Sequence, residues 1–171
     1  GFVSLVNGTA DVDGSGASES ASFAGKTVRL GADLNFKGQT IAPAGGQNGK
    51  TFEGIFDGGG KRIDNFVLDT GDTVNIGLIG KAGQNSVIKN LTVGSAASLS
   101  LSLSASDNDK AIENVGMLVG YSAGSVENCT NNGKVTVSHA MDQTKSIVFP
   151  IKNVGGLAGV CEGNVSSCTN N

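Results

Sequence analysis

The residues able to do chemistry are few and scattered. Asp57 with Asp64, and Asp69 with Asp72, are carboxyl pairs of the type glycoside hydrolysis uses. No base and cation cluster beside either pair, so no acid–base set assembles. Asp11-Val12-Asp13-Gly14-Ser15-Gly16 opens like an oxygen-rich calcium loop, but the twelfth position, where a bidentate acid belongs, is Ser22. A flexible polar loop is the better reading. Asp107-Asn108-Asp109 is a second acidic turn and reads as a solvated tip. Cys129, Cys161 and Cys168 form no CxxC pair, and no His or Asp is evidently placed to activate Cys161. His139 is the single histidine, which argues against zinc. One tyrosine, Tyr121, and no tryptophan leave little aromatic platform for sugars. The expectation is therefore no catalytic residue, no cofactor and no metal: a chain that is not an enzyme.

Composition narrows the partners. The net charge is −3 without a run of Lys or Arg, which disfavours nucleic acid. No stretch approaches about 18 consecutive apolar residues, so no membrane insertion is expected in this segment. Glycine supplies 27 of the 171 residues. That is about twice the usual share of roughly 7%. It predicts many tight turns and close backbone approaches.

The elements that must position everything else are repeats. Val115-Gly-Met-Leu-Val-Gly-Tyr-Ser-Ala-Gly-Ser-Val-Glu-Asn-Cys-Thr-Asn-Asn132 aligns without gaps on Val154-Gly-Gly-Leu-Ala-Gly-Val-Cys-Glu-Gly-Asn-Val-Ser-Ser-Cys-Thr-Asn-Asn171. Earlier copies read Ile76-Gly-Leu-Ile-Gly80 with Val87-Ile-Lys-Asn-Leu91, and Gly54-Ile-Phe-Asp57 with Ile63-Asp-Asn-Phe66. In this alignment Asp57 meets Gly80, Gly120 and Gly159, which is turn chemistry. Such a unit cannot bury its apolar side alone, but it can when stacked on a copy at about 4.8 Å. The expected fold is all-β: a parallel β-helix (solenoid) of about three to four coils. Ile63, Ile88, Val126 and Val165 should form one interior column, and Phe66, Leu91, Cys129 and Cys168 another, with Asn65, Asn90 and Asn128 at the corner between them. Cys129 and Cys168 then lie in neighbouring coils, where they can either form a disulfide or fill the column as thiols. The thiol reading fits better, because Leu91 and Phe66 fill the same column.

The connections complete the expectation. Ala97–Ser104 alternates strictly with period two, and Lys134–Val137 and Ser146–Phe149 read similarly as strands. The polar turns 106–110 and 141–145 should be the tips of protruding β-hairpins and the candidate contact loops. Phe2–Asn7 should form a short N-terminal helical cap, and Lys26–Leu30 and Asp33–Phe36 the first strands. The whole chain, 1–171, reads as one domain: cap and polar loop 1–22, first coil 23–66, then repeats 67–93, 94–132 and 133–171. It begins Gly1-Phe2 and stops in mid-repeat, so a piece of a longer protein is expected.

These residues resemble the GLUG repeat family, named for a Gly-Leu-any-Gly core. Gly77-Leu-Ile-Gly80 and Gly156-Leu-Ala-Gly159 match that core, while Met117-Leu-Val-Gly120 departs at its first position. Phe52-Glu-Gly-Ile-Phe-Asp-Gly-Gly-Gly-Lys-Arg-Ile-Asp-Asn-Phe66 is similar to the segment that often precedes such repeats, and Gly25–Leu34 to the strand leading into it. The resemblance implies a right-handed parallel β-helix, a sense that agrees with the crossover rule. It also implies a secreted or cell-surface bacterial protein, among adhesins and the non-catalytic regions of IgA-cleaving peptidases. No catalytic residues come with it. The expected function is a structural or adhesive module. Its expected partners are a host or matrix protein or a glycan, and the remainder of the same polypeptide. The alternative is a carbohydrate-active enzyme or the accessory domain of a surface peptidase.

Overall fold

The computed structural model describes residues 1–11, 14–71, 73–104, 112–139 and 151–171, with His139 described by its backbone alone. The described residues are all-β apart from one short helix, α1 (Phe2–Asn7). The first strands are β1 (Thr27–Arg29), β2 (Leu34–Ile41) and the long β3 (Ile55–Leu68). Next come β4 (Asn75–Ile76), β5 (Ile79–Ala82), β6 (Val87–Val93) and β7 (Ser98–Leu103). The repeat at 114–131 supplies β8 (Asn114–Gly116), β9 (Val119–Ser122), β10 (Ser125–Glu127) and β11 (Thr130–Asn131), followed by β12 (Lys134–His139). The last copy supplies β13 (Asn153–Gly155), β14 (Ala158–Cys161), β15 (Val165–Ser166) and β16 (Thr169–Asn170).

Every ladder between these strands is parallel, and the repeats pair with their own counterparts. One sheet stacks β4, β8 and β13, with Asn75, Asn114 and Asn153 in register. A second stacks β5, β9 and β14, with Ile79 under Val119 under Ala158. The third and largest carries β3, β6, β10 and β15 side by side, with Ile88, Val126 and Val165 in register. Similar side chains thus lie over one another at the strand spacing, giving each apolar face the cover that a lone repeat lacks. Leu91, Cys129 and Cys168 precede the paired Thr92, Thr130 and Thr169, so the thiol column forms as expected.

The glycines of the Gly-Leu-any-Gly core have a steric cause. A Cβ on Gly77 would meet the Gly120 nitrogen at 2.6 Å, and one on Gly159 would meet the Val115 nitrogen at 2.6 Å. The neighbouring repeat passes too close for any side chain there, and φ is not the constraint. Between them Leu118 is almost wholly buried and Met117 fills space beside Gly133. The corners use asparagine differently. Asn65, Asn90 and Asn128 have φ of 56°, 54° and 49°, and Ser167 at the same place in the last copy has 53°. Asparagine enters this left-handed region more readily than most residues because its side chain bonds locally.

Several expectations are corrected. Ile63 does not lie under Ile88; Phe56 does, while Ile63 pairs with Val93 and Leu34. Phe66 pairs with Gln39 and rests edge-on against Phe36 at 6.1 Å, outside the thiol column. Asn65 accordingly leaves the ladder of Asn90 and Asn128, and its Nδ2 donates to Asn35 at 3.1 Å. Asp57 stacks on Lys89, not on Gly80. The cause is a register break between Asp57 and Lys61, where Gly59 and Gly60 take φ of 59° and 73° and bulge the strand. Val165 keeps its register with Val126 but is 50% exposed, because no described strand covers its other side.

The expected hairpins rest largely on residues that are not described. The tips 106–110 and 141–145 and the strand 146–149 fall outside the described residues. Of the described strands on either side, β7 pairs parallel with β12, whereas β8 and β13 lie in another sheet.

α1 closes onto the first strands. Phe2 meets Phe23, Phe52 and Phe56 with ring centroids 5.4, 5.6 and 5.5 Å away. Gly8 ends the helix with φ 70°. Buried Asn7 then ties it down, its Nδ2 donating to the Pro43 carbonyl at 2.8 Å and its Oδ1 accepting from the Gly45 N–H at 2.7 Å.

Candidate functional site

The acids singled out from the sequence are engaged in shaping turns. Asp57 accepts from the Gly59 N–H at 2.8 Å and from Asn90 Nδ2 at 2.9 Å, with the Arg29 guanidinium at 3.9 Å. These contacts, the Asn90 amide first, hold its carboxyl below the usual carboxylate range. Asp64 accepts from the backbone N–H groups of Asn65 at 2.8 Å and Ala96 at 3.0 Å. Asp69 accepts from the Gly71 N–H at 3.0 Å; its partner in the sequence, Asp72, lies outside the described residues. A general acid needs a carboxyl held protonated near the working pH, and Asp57 is biased the other way.

The calcium-like loop behaves similarly. Both oxygens of Asp11 are taken by backbone donors, Gly14 at 2.8 Å and Gly16 at 3.0 Å. Val12 and Asp13 lie outside the described residues, as does the Asp107–Asp109 turn. Among the described residues no group of three His, Cys, Asp or Glu side chains is placed to hold a metal ion.

The cysteines are free thiols. Cys129 is buried, and burial pushes its thiol up to about 12. Its N–H faces Cys168 Sγ at 3.5 Å, and each thiol donates to a backbone carbonyl. Cys161 stands over Ser122, as the repeat spacing predicts, and burial raises its thiol too. Neither Cys129 nor Cys161 therefore has the stabilised thiolate a nucleophile needs. Tyr121 sits between Lys81 and Val160 in its ladder, and its bond to Glu162 raises its hydroxyl above the ordinary tyrosine value.

Two features were not anticipated. The first is a set of side-chain amide ladders. Asn114 Nδ2 donates to Asn75 at 2.7 Å, and Asn153 Nδ2 donates to Asn114 at 2.8 Å. Asn128 continues the Asp57–Asn90 line at 2.9 Å, Asn131 reaches Asn170 at 2.9 Å, and Asn171 reaches Asn132 at 2.7 Å. The Cys-Thr-Asn-Asn tail shared by both copies carried that signal. The second is a cavity of about 330 Å³ beside Phe2, walled by Leu30, Phe36, Leu78 and Leu118 among other apolar side chains. Ser4 is the one polar side chain that lines it, too little to orient a substrate. No described helix is long and apolar enough to cross a membrane.

The family model described as the GLUG motif matches residues 112–136. Among curated proteins, Halomucin from Haloquadratum walsbyi is 33% identical over 98 residues, which is 57% of this chain and 1% of that protein's length. No solved structure matches.

Proposed function

Starting from a chain that carries the GLUG motif, we propose that it is a non-catalytic, surface-associated module acting outside the cell. In this reading the three parallel sheets are faces of one right-handed parallel β-helix. One observation carries it: like residues of successive copies pair in register, as in Asn75–Asn114–Asn153, each step 39 residues long. A stack built this way is stiff along its axis, because each repeat is held by its neighbours over apolar columns and amide ladders. Its outward positions are then free to vary. The alternating Ser98, Ser100 and Ser102 beside Lys134, Thr136 and Ser138 show a flat, hydroxyl-rich face of that kind. The module would hold binding surfaces, or a further domain of its own polypeptide, away from the cell. Host or matrix proteins and glycans are the partners this chemistry suits, and a bacterial source is part of the same proposal.

The test is a pull-down combined with glycan and matrix-protein arrays on the purified chain. Binding that is lost when Ser100 and Thr136 are changed to Lys supports an adhesive face, and silence across all ligands leaves a spacer. Polysaccharide cleavage that disappears in an Asp57→Ala protein would overturn the non-catalytic reading.

A further inference from the structure

The sequence holds four Asn-x-Ser/Thr triplets: Asn7-Gly8-Thr9, Asn90-Leu91-Thr92, Asn128-Cys129-Thr130 and Asn164-Val165-Ser166. Such triplets are acceptors for N-linked glycans in secreted proteins, provided the side chain reaches the surface. The fold treats the four very differently.

Asn7 is buried and has both ends of its amide committed, to Pro43 and Gly45. Asn90 is committed at both ends too, its Nδ2 to Asp57 and its Oδ1 to Asn128. Asn128 spends its Nδ2 on that same ladder at 2.9 Å and holds the left-handed corner. A sugar on any of these nitrogens would crowd the hydrogen bond that fixes α1 or joins two repeats.

Asn164 stands apart. Like Asn128 it is exposed, but unlike Asn128 its amide bonds to no other group among the described residues. The backbone around it is held extended, because the Val126 N–H donates to its carbonyl at 2.9 Å and the Asn128 N–H to the Ser166 carbonyl at 2.9 Å. Side chains two apart on a strand share a face. Val165 lies over Val126 on the core side, so Asn164 and Ser166 both point outward. Amide and hydroxyl are thus presented together on one open face.

We infer that Asn164 is the chain's N-glycan acceptor. The inference rests on the extracellular placement proposed above. In the reaction Asn164 Nδ2 attacks the anomeric carbon of a lipid-diphosphate-linked oligosaccharide. A C–N bond forms, the C–O bond to the diphosphate breaks, the lipid diphosphate departs and the amide loses one proton. Nothing is oxidised or reduced.

The test is to secrete the whole chain from yeast, weigh the intact protein, and map the site after enzymatic removal of glycan, which leaves Asp at each occupied Asn. The expected result is a mass shift of one core glycan located at Asn164. That shift is lost in both Asn164→Gln and Ser166→Ala, with circular dichroism unchanged. A chain released without glycan, a glycan surviving Asn164→Gln, or occupancy of Asn90 or Asn128 overturns the inference. So does release of Asn164→Gln alongside retention of the unaltered chain. A yeast-secreted chain that lacks the glycan yet binds the arrays would sink this inference alone; a glycan on a chain that binds nothing bears only on the adhesive reading.

Discussion

Val126 and Val165 offer a controlled comparison, since they are the same residue type, register partners, and differ in cover. Val126 is 1% exposed and Val165 50% exposed. Changing either to Ala deletes two carbon groups. At about 0.8 kcal/mol per buried group, Val126→Ala loses about 1.6 kcal/mol of transfer free energy. The void left between Ile88 and Val165 raises this to about 2–3 kcal/mol, because neighbouring strands pinned by their ladders cannot collapse into it. Val165→Ala, half in water already, loses about 0.8 kcal/mol and opens no closed void. For a chain of this length each kcal/mol moves Tm by about 2–4 °C, so the expected drops are about 4–12 °C and about 2–3 °C. Urea unfolding followed by circular dichroism gives the same comparison in free energy, and equal m values would show that both variants unfold as the parent does. Equal losses at the two positions, or a larger one at Val165, would refute the view that stacking on both sides is what stabilises these columns.

Three further outcomes follow from other contacts. Asn114→Ala should destabilise by about 2–4 kcal/mol, since it removes two amide bonds and strands buried Asn75; a double-mutant cycle with Asn75→Ala should be strongly non-additive. The Asp57 carboxyl is depressed in the folded chain, so its contribution is fully present above the unfolded value of 3.8 and is lost as pH falls through the lower folded value. Acid unfolding of Asp57→Asn should accordingly be shallower below that value than in the parent, and identical acid limbs would contradict the assignment. Iodoacetamide at mildly alkaline pH should label Cys161 and Cys168 before buried Cys129, and peptide mass mapping should show Cys129 reacting only as the chain unfolds.

The sequence by itself determined the pieces and their kinship. The gap-free alignment of 115–132 on 154–171 placed Val126 over Val165 and Cys129 beside Cys168. Strict alternation marked β7, the apolar Phe2–Asn7 marked α1, and asparagine at 90 and 128 marked the left-handed corners. All of these are local: a residue's side chain, its neighbours and a constant period carry them. What only the tertiary structure decided is how unequal segments sit on one another. Side chains hydrogen-bonded between strands are 30 residues apart from Asn35 to Asn65, 33 from Asp57 to Asn90, and 38 from Asn90 to Asn128. No fixed offset therefore finds the first registers. The glycine bulge after Asp57 shifts the pairing again, setting Phe56 rather than Ile63 under Ile88. The same long-range register turned Asp57 from a candidate acid into the foot of an amide ladder. It also gave four similar Asn-x-Ser/Thr triplets four different surroundings. Register belongs to pairs of segments distant along the chain, fixed by the loops and bulges between them, and so it is set only when the strands pack.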